Sequence, residues 1–188
     1  MGGGVDVFRP RNIIVALLVI AVVGVLAYVI VDQINEPTAA NEDSSADIPG
    51  QFFEDLGRSH LQANQPYDEY NSNPPTSGPH DPVPAPWGVS ADPIPKEKIL
   101  HNLEHGGVAV LYNCTDDCPD IVSELSAYVQ GKVSDGDALL MAPYPGMEHR
   151  IALISWTRLD AFDELDMERV ERFVDVNLCR FDPENVCD

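Results

Sequence analysis

The sequence predicts an α+β domain with a small mixed sheet, preceded by a single N-terminal transmembrane helix. A run of apolar residues without a charge covers 12–31, and the region 51–94 is rich in proline and turn residues. From 95 onward, short apolar runs alternate with amphipathic stretches. Helix and strand patterns that follow one another in this way are typical of helices packed on a small sheet.

Residues 12–31 are long enough to cross a bilayer once as a helix. Arg9 and Arg11 precede the run and Asp32 follows it, so the positive-inside rule places residues 1–11 in the cytoplasm. No convincing cleavage site follows the run, which favours an uncleaved anchor over a signal peptide. We therefore expect the cytoplasmic membrane to be a partner and the C-terminal domain to be extracytoplasmic.

Residues 32–50 are polar, acidic and poor in large apolar side chains, which predicts a flexible linker. The rest, 51–188, is long enough for one domain with its own core. In its first part the prolines remove amide donors and fix φ, so regular helix and central strand are disfavoured. We expect a Pro-rich irregular wrap over the domain, with one short helix over 52–62.

The regular elements are expected after this wrap, because there the apolar spacing follows helix and strand periods. Gly106 is placed to end the first helix, and Pro119 lies near the start of the second. The predicted elements are a helix over 95–105, a strand over 108–112, a helix over 114–132, strands over 137–144 and 149–158, and a helix over 167–178.

The chain is strongly acidic, with 31 Asp and Glu against 11 Lys and Arg and a net charge of −20. A field of this sign repels nucleic acid and anionic lipid, so neither is expected as a partner. The acidity fits adaptation to high salt, and it fits a general solubility feature equally well.

The four cysteines are Cys114, Cys118, Cys179 and Cys187. An even number outside the membrane favours disulfides, and the local pairing, Cys114 with Cys118 and Cys179 with Cys187, is the simplest of three. The alternative is that Cys114 and Cys118 form a redox or metal-binding pair, although their spacing is one residue longer than the usual C-x-x-C.

The segment HNLEHGG at 101–107 carries the clearest chemistry. On a helix, His101, Glu104 and His105 share one face, where two imidazoles and a carboxylate can hold a metal ion.

The letters also fit the inverted zinc-protease pattern H-x-x-E-H. We do not expect a protease, because the motif runs directly into a strand and the domain is too small for a substrate chamber. The structural alternative is that His101 is a hydrogen-bonded core residue and that His105, at a helix C-terminus, favours its protonated form.

Several separated blocks then point to a family. PPTSGPH (74–80), HNLEHGGVAVLYNC (101–114), APYPGM (142–147) and ISW (154–156) resemble the signature blocks of the bacterial domain of unknown function 3105 family. The resemblance implies a membrane-anchored exported protein and brings no activity with it. It implies that the following residues lie at family motif positions: His60, His80, His101, Glu104, His105 and Met147.

We expect a non-enzymatic role in binding a metal ion through these residues, and we assign no catalytic residue. Imidazole with the Met147 thioether suits copper, whereas imidazole with the Glu104 carboxylate suits zinc, and we expect copper first and zinc second. One alternative is an accessory or structural subunit that contacts other membrane proteins. A second alternative is a thiol–disulfide enzyme or a small metal-dependent enzyme.

Overall fold

The computed structural model describes residues 48–114 and 118–187, all within one compact unit, Ser44–Asp188. The strands are β1 (Gln51–Phe52), β2 (Gly88–Val89), β3 (Val108–Tyr112), β4 (Leu139–Pro143), β5 (Ile151–Ser155) and β6 (Arg158–Phe162), and the helices are α1 (Lys96–Glu104), α2 (Pro119–Ser134) and α3 (Met167–Asn177).

The six strands form one mixed sheet in the order β1-β6-β5-β3-β4-β2. β3 and β2 both run parallel to β4, whereas β5 is antiparallel to β3, β6 to β5 and β1 to β6. The parallel pair β3 and β4 is joined through α2, as parallel strands require a crossover. The antiparallel half follows as a tight hairpin between β5 and β6.

Each face of the sheet carries its own apolar cluster, because successive side chains of a strand point to opposite faces. Val108 and Val110 lie in a cluster with residues of α2 and α3. Ala109 and Leu111 lie in a second cluster with Ile99, Leu100 and Leu103 of α1. The two longer helices therefore cover one face and α1 covers the other.

Helix α1 is buried on nearly all sides, since Glu97 and the whole run from Ile99 to Glu104 are buried. Its apolar residues meet the sheet, and its polar residues meet the irregular segment 53–87. Asn102 pairs with both the N–H and the carbonyl of Ala85, and the Glu97 carboxylate accepts from the N–H of Tyr67. This satisfies backbone groups of the segment that has almost no regular structure of its own.

The structure confirms the α+β class, the mixed sheet, the three helices after residue 94 and the irregular wrap. Two predictions were wrong. Residues 53–59 are irregular rather than helical, and Gln51–Phe52 pairs with β6 as an edge strand. The segment 149–158 is not one strand, because the chain turns at Trp156 and Thr157 and continues as β6; Thr157 takes a positive φ of 63° there.

Both disulfides have the local pairing, Cys114–Cys118 and Cys179–Cys187. The first closes the loop before α2, and the second closes the C-terminal tail. Within residues 48–114 and 118–187 no helix has the length and apolar character needed to cross a membrane. The predicted anchor over 12–31 and most of the linker over 32–50 lie outside the described residues.

Candidate metal centre

Three histidines from distant parts of the sequence converge on one point. One ring nitrogen of each of His60, His80 and His101 lies within 4.8 Å of those of the other two. His80 and His101 are buried, and the His60 side chain is 45% exposed. Among these three side chains, His60 is the one that is open to solvent.

Backbone pairing brings the first two histidines together. His60 and His80 form an isolated parallel bridge, in which the His80 N–H donates to Ser59 O at 3.0 Å and the Leu61 N–H donates to His80 O at 2.7 Å. The ring centroids of the two histidines are 4.9 Å apart. His101 comes from α1, and its ring stacks against that of His60 at 5.3 Å.

Hydrogen bonds fix which nitrogen of His101 and His80 is free. His101 Nδ1 lies 2.7 Å from Asp81 O, and His80 Nδ1 lies 2.9 Å from Gly78 O. A carbonyl only accepts, so each Nδ1 carries the proton and each Nε2 of a neutral ring presents its lone pair. This orientation of the second nitrogen by a carbonyl is the usual support for metal-binding histidines.

Glu104 supplies the carboxylate of the group. Its Oε2 is 3.0 Å from His80 Nε2 and 3.7 Å from His60 Nε2, and its side chain is 3% exposed. The lone pair of a neutral His80 thus faces a carboxylate oxygen, an arrangement that needs a proton or a cation to be stable. On the opposite side, Arg58 Nη1 lies 3.6 Å from Glu104 Oε1.

The electrostatic environment favours neutral His101. Burial lowers its pKa, and the neighbouring His105 and His80 lower it further, against the raising effects of Asp81 O and Glu104. A neutral imidazole is the form that binds metal ions. In this form His101 can offer the lone pair of Nε2 to a proton donor or to a cation.

His105 lies next to this group, on its outer side. Its Nε2 is 3.0 Å from His101 Nε2 and 3.1 Å from Glu184 Oε2 in the C-terminal tail. His105 is the residue that follows α1, and its ring contacts that of His101, as the spacing of four residues predicted. The contact with Glu184 spans 79 residues, so nothing local in the sequence indicated it.

Met147 lies in the second apolar cluster and is 4% exposed. It also lines a cavity of about 310 Å³ together with Asn73, His149 and Ala152.

Arg58 was not singled out from the sequence, although it stands two residues before His60. Residues two apart in extended backbone face the same side, so that signal was present.

Similarity to known proteins adds a family and no activity. No curated protein and no solved structure matches the chain. The family model described as "Protein of unknown function (DUF3105)" matches residues 60–187, a range that begins at His60 and includes every histidine of the site. The match covers more than half of the chain, so the protein belongs to the DUF3105 family.

Proposed function

We propose that this protein binds one divalent transition metal ion through His60, His80 and His101, with Glu104 as a fourth ligand or as a direct neighbour of the ion. The observation that carries the proposal is the convergence of three imidazole donors within 4.8 Å beside a buried carboxylate. The carbonyls of Gly78 and Asp81 support it, because they accept from Nδ1 of His80 and of His101 and so leave Nε2 of each ring as the free donor atom.

Zinc is the first candidate for this ion. Three imidazoles with a carboxylate form a donor set that zinc commonly takes in proteins. Met147, the residue that favoured copper in the sequence, lies in the apolar cluster with Ala142 and Ala152. Copper(II) is the second candidate, because it also accepts imidazole and oxygen ligands.

The function we infer is binding or handling of a metal ion outside the cytoplasm, at the membrane surface. The apolar run over 12–31 supports an anchor, and two disulfides fit an oxidising compartment. His60 and Arg58, both 45% exposed at the side chain, form the open side through which an ion can arrive.

Metal content tests the proposal. The full chain in detergent is loaded with zinc or copper, dialysed and measured by elemental mass spectrometry. We expect one ion per chain. We expect His60→Ala to weaken binding by more than the roughly 10–100-fold typical of losing an outer-shell partner. The His60 side chain is 45% exposed and the bridge to His80 uses backbone groups, so we expect this variant to keep the fold, which near-UV circular dichroism checks.

His149→Ala is the matched control, since His149 is an exposed histidine that pairs with Asp163 away from the site. It should bind the ion as the wild type does. A folded wild-type chain that retains no ion would overturn the proposal. The histidines would then serve as hydrogen-bonded supports, with His80 and Glu104 as a buried ion pair.

A further inference from the structure

The C-terminal tail, residues 179–187, brings a second set of metal donors to the site. Glu184 Oε2 lies 3.1 Å from His105 Nε2, which in turn lies 3.0 Å from His101 Nε2. Two imidazoles and a carboxylate are again a suitable donor set for a divalent transition metal ion. We call His101, His105 and Glu184 the outer group, and His60, His80, His101 and Glu104 the inner group.

The tail is held in place by several independent contacts. The Cys179–Cys187 disulfide closes it, and the Cys179 N–H donates to Gly106 O at 2.8 Å. The Asp182 carboxylate accepts from the N–H groups of Val186 and Cys187. Glu184 thus sits on a closed loop fastened to the end of α1, so its place beside His105 is built into the fold.

The two groups share one nitrogen. His101 Nδ1 donates to Asp81 O, which leaves Nε2 as the donor atom for either group. One lone pair binds one ion at a time, so both groups cannot be filled at once. The outer group also has two acceptors for one donor. His101 Nε2 and Glu184 Oε2 both lie within hydrogen-bonding distance of His105 Nε2, which carries at most one proton.

Exposure differs between the two groups in a consistent direction. The side chains of His80 and Glu104 are 0% and 3% exposed, whereas those of His105 and Glu184 are 20% and 44% exposed. An ion arriving from solvent on the tail side meets Glu184 first, and the negative carboxylate attracts it. His101 then lies between the outer and the inner ligands.

We propose that the outer group is a second, mutually exclusive metal site, which captures a divalent ion and passes it to the inner group by exchange of ligands around His101 Nε2. The proposal rests on the proposed function, because it takes the inner group as the final site. In the transfer, His105 and Glu184 leave the ion while His80 and His60 join it. The metal keeps its charge and no covalent bond is made or broken.

Rapid-mixing kinetics with cobalt(II) tests this proposal, because cobalt absorbs differently in different ligand fields and substitutes for zinc. The full chain is mixed with increasing cobalt, and absorbance is followed in time. We expect a fast phase whose rate rises with cobalt concentration, then a slower phase whose rate does not. Equilibrium content should be one ion per chain.

Two variants separate the phases. Glu184→Gln should slow the fast phase by about tenfold or more, because the negative charge that attracts the ion is lost, while final content stays at one ion. His60→Ala should retain the fast phase and lose the slow one. Glu171→Gln is the matched control, because it removes the same charge from an exposed position on α3.

The outcomes are distinguishable. If Glu184→Gln binds at the wild-type rate, or if it weakens final affinity as much as His60→Ala does, the outer site is overturned and the inner proposal stands. Two ions per chain would contradict the claim that the two groups exclude each other by sharing His101 Nε2. A wild-type chain that binds no cobalt would overturn the proposed function itself.

Discussion

At the scale of single residues, the two glycines after His105 determine how closely other segments approach the site. Gly106 has a φ of 78°, and a Cβ there would lie 3.1 Å from Cys187 Sγ and 3.2 Å from Cys179 Cα. Gly107 lies against the ring of Trp87. The first glycine lets the tail close on α1, and the second lets the segment around Trp87 do so.

Replacing Gly107 by Ala should destabilise the fold by about 1–3 kcal/mol, since the new methyl group would overlap the Trp87 ring and lie 2.8 Å from Asn102 O. Chemical denaturation followed by tryptophan fluorescence measures the change. Gly131→Ala is the control, because Gly131 lies inside α2 with nothing near its Cβ. That variant should gain roughly 0.5–1 kcal/mol. Equal effects in the two variants would contradict this account.

At the scale of elements, α1 fastens the irregular wrap as well as covering the sheet. Its polar side chains contact backbone of the wrap at Tyr67, Asp81 and Ala85. These contacts replace the hydrogen bonds that a regular element would supply. The histidines of the site are held by the same contacts, so the site and the wrap depend on each other.

Asn102→Ala should cost about 2–4 kcal/mol of unfolding free energy, because both the N–H and the carbonyl of Ala85 lose their buried partner. Urea unfolding measures this cost. Gln130→Ala on the exposed side of α2 removes only a contact to Ser126 and should change stability little. A small effect at Asn102 would show that water replaces the amide.

The helices and the central strands were predictable because their apolar spacing is strong. Val170, Phe173 and Val174 repeat at helical spacing, and 108–112 is continuously apolar. The wrap and the tail were not predictable, since long-range contacts place them. The sequence predicted that His101 and His105 lie on one helix, but convergence of His60 and His80 depends on a bridge between irregular segments.

At the scale of the whole molecule, partial burial and the excess of carboxylates together shift the titration of two tyrosines. Burial, together with nearby carboxylates such as Asp175 and Glu97, raises the pKa of Tyr128 and of Tyr144 to about 12. The two tyrosines lie in different parts of the domain, one on α2 and one after β4. Between pH 10 and about 12 their neutral forms are favoured in the folded protein and not in the unfolded chain.

Stability should therefore fall at high pH. In the unfolded chain these hydroxyls ionise near the ordinary pKa of 10.0, whereas in the folded protein they stay neutral until about 12. The contribution is complete below 10 and is lost as pH rises through this window. Urea midpoints measured across the window should decline, and less steeply in the Tyr128→Phe, Tyr144→Phe double variant. An identical decline in both proteins would contradict the assignment.

The bridge between His60 and His80 has one more consequence, which concerns chain topology. An ion held by His60, His80 and His101 would cross-link three points and close two consecutive loops of the wrap into rings. Ring closure restricts the unfolded chain, as a disulfide does, and acts where the backbone has least regular structure. Part of the free energy of ion binding would then stabilise the ordered conformation of residues 60–101. This range includes β2 and the first part of α1, so the same order would extend to the edge and to one face of the sheet.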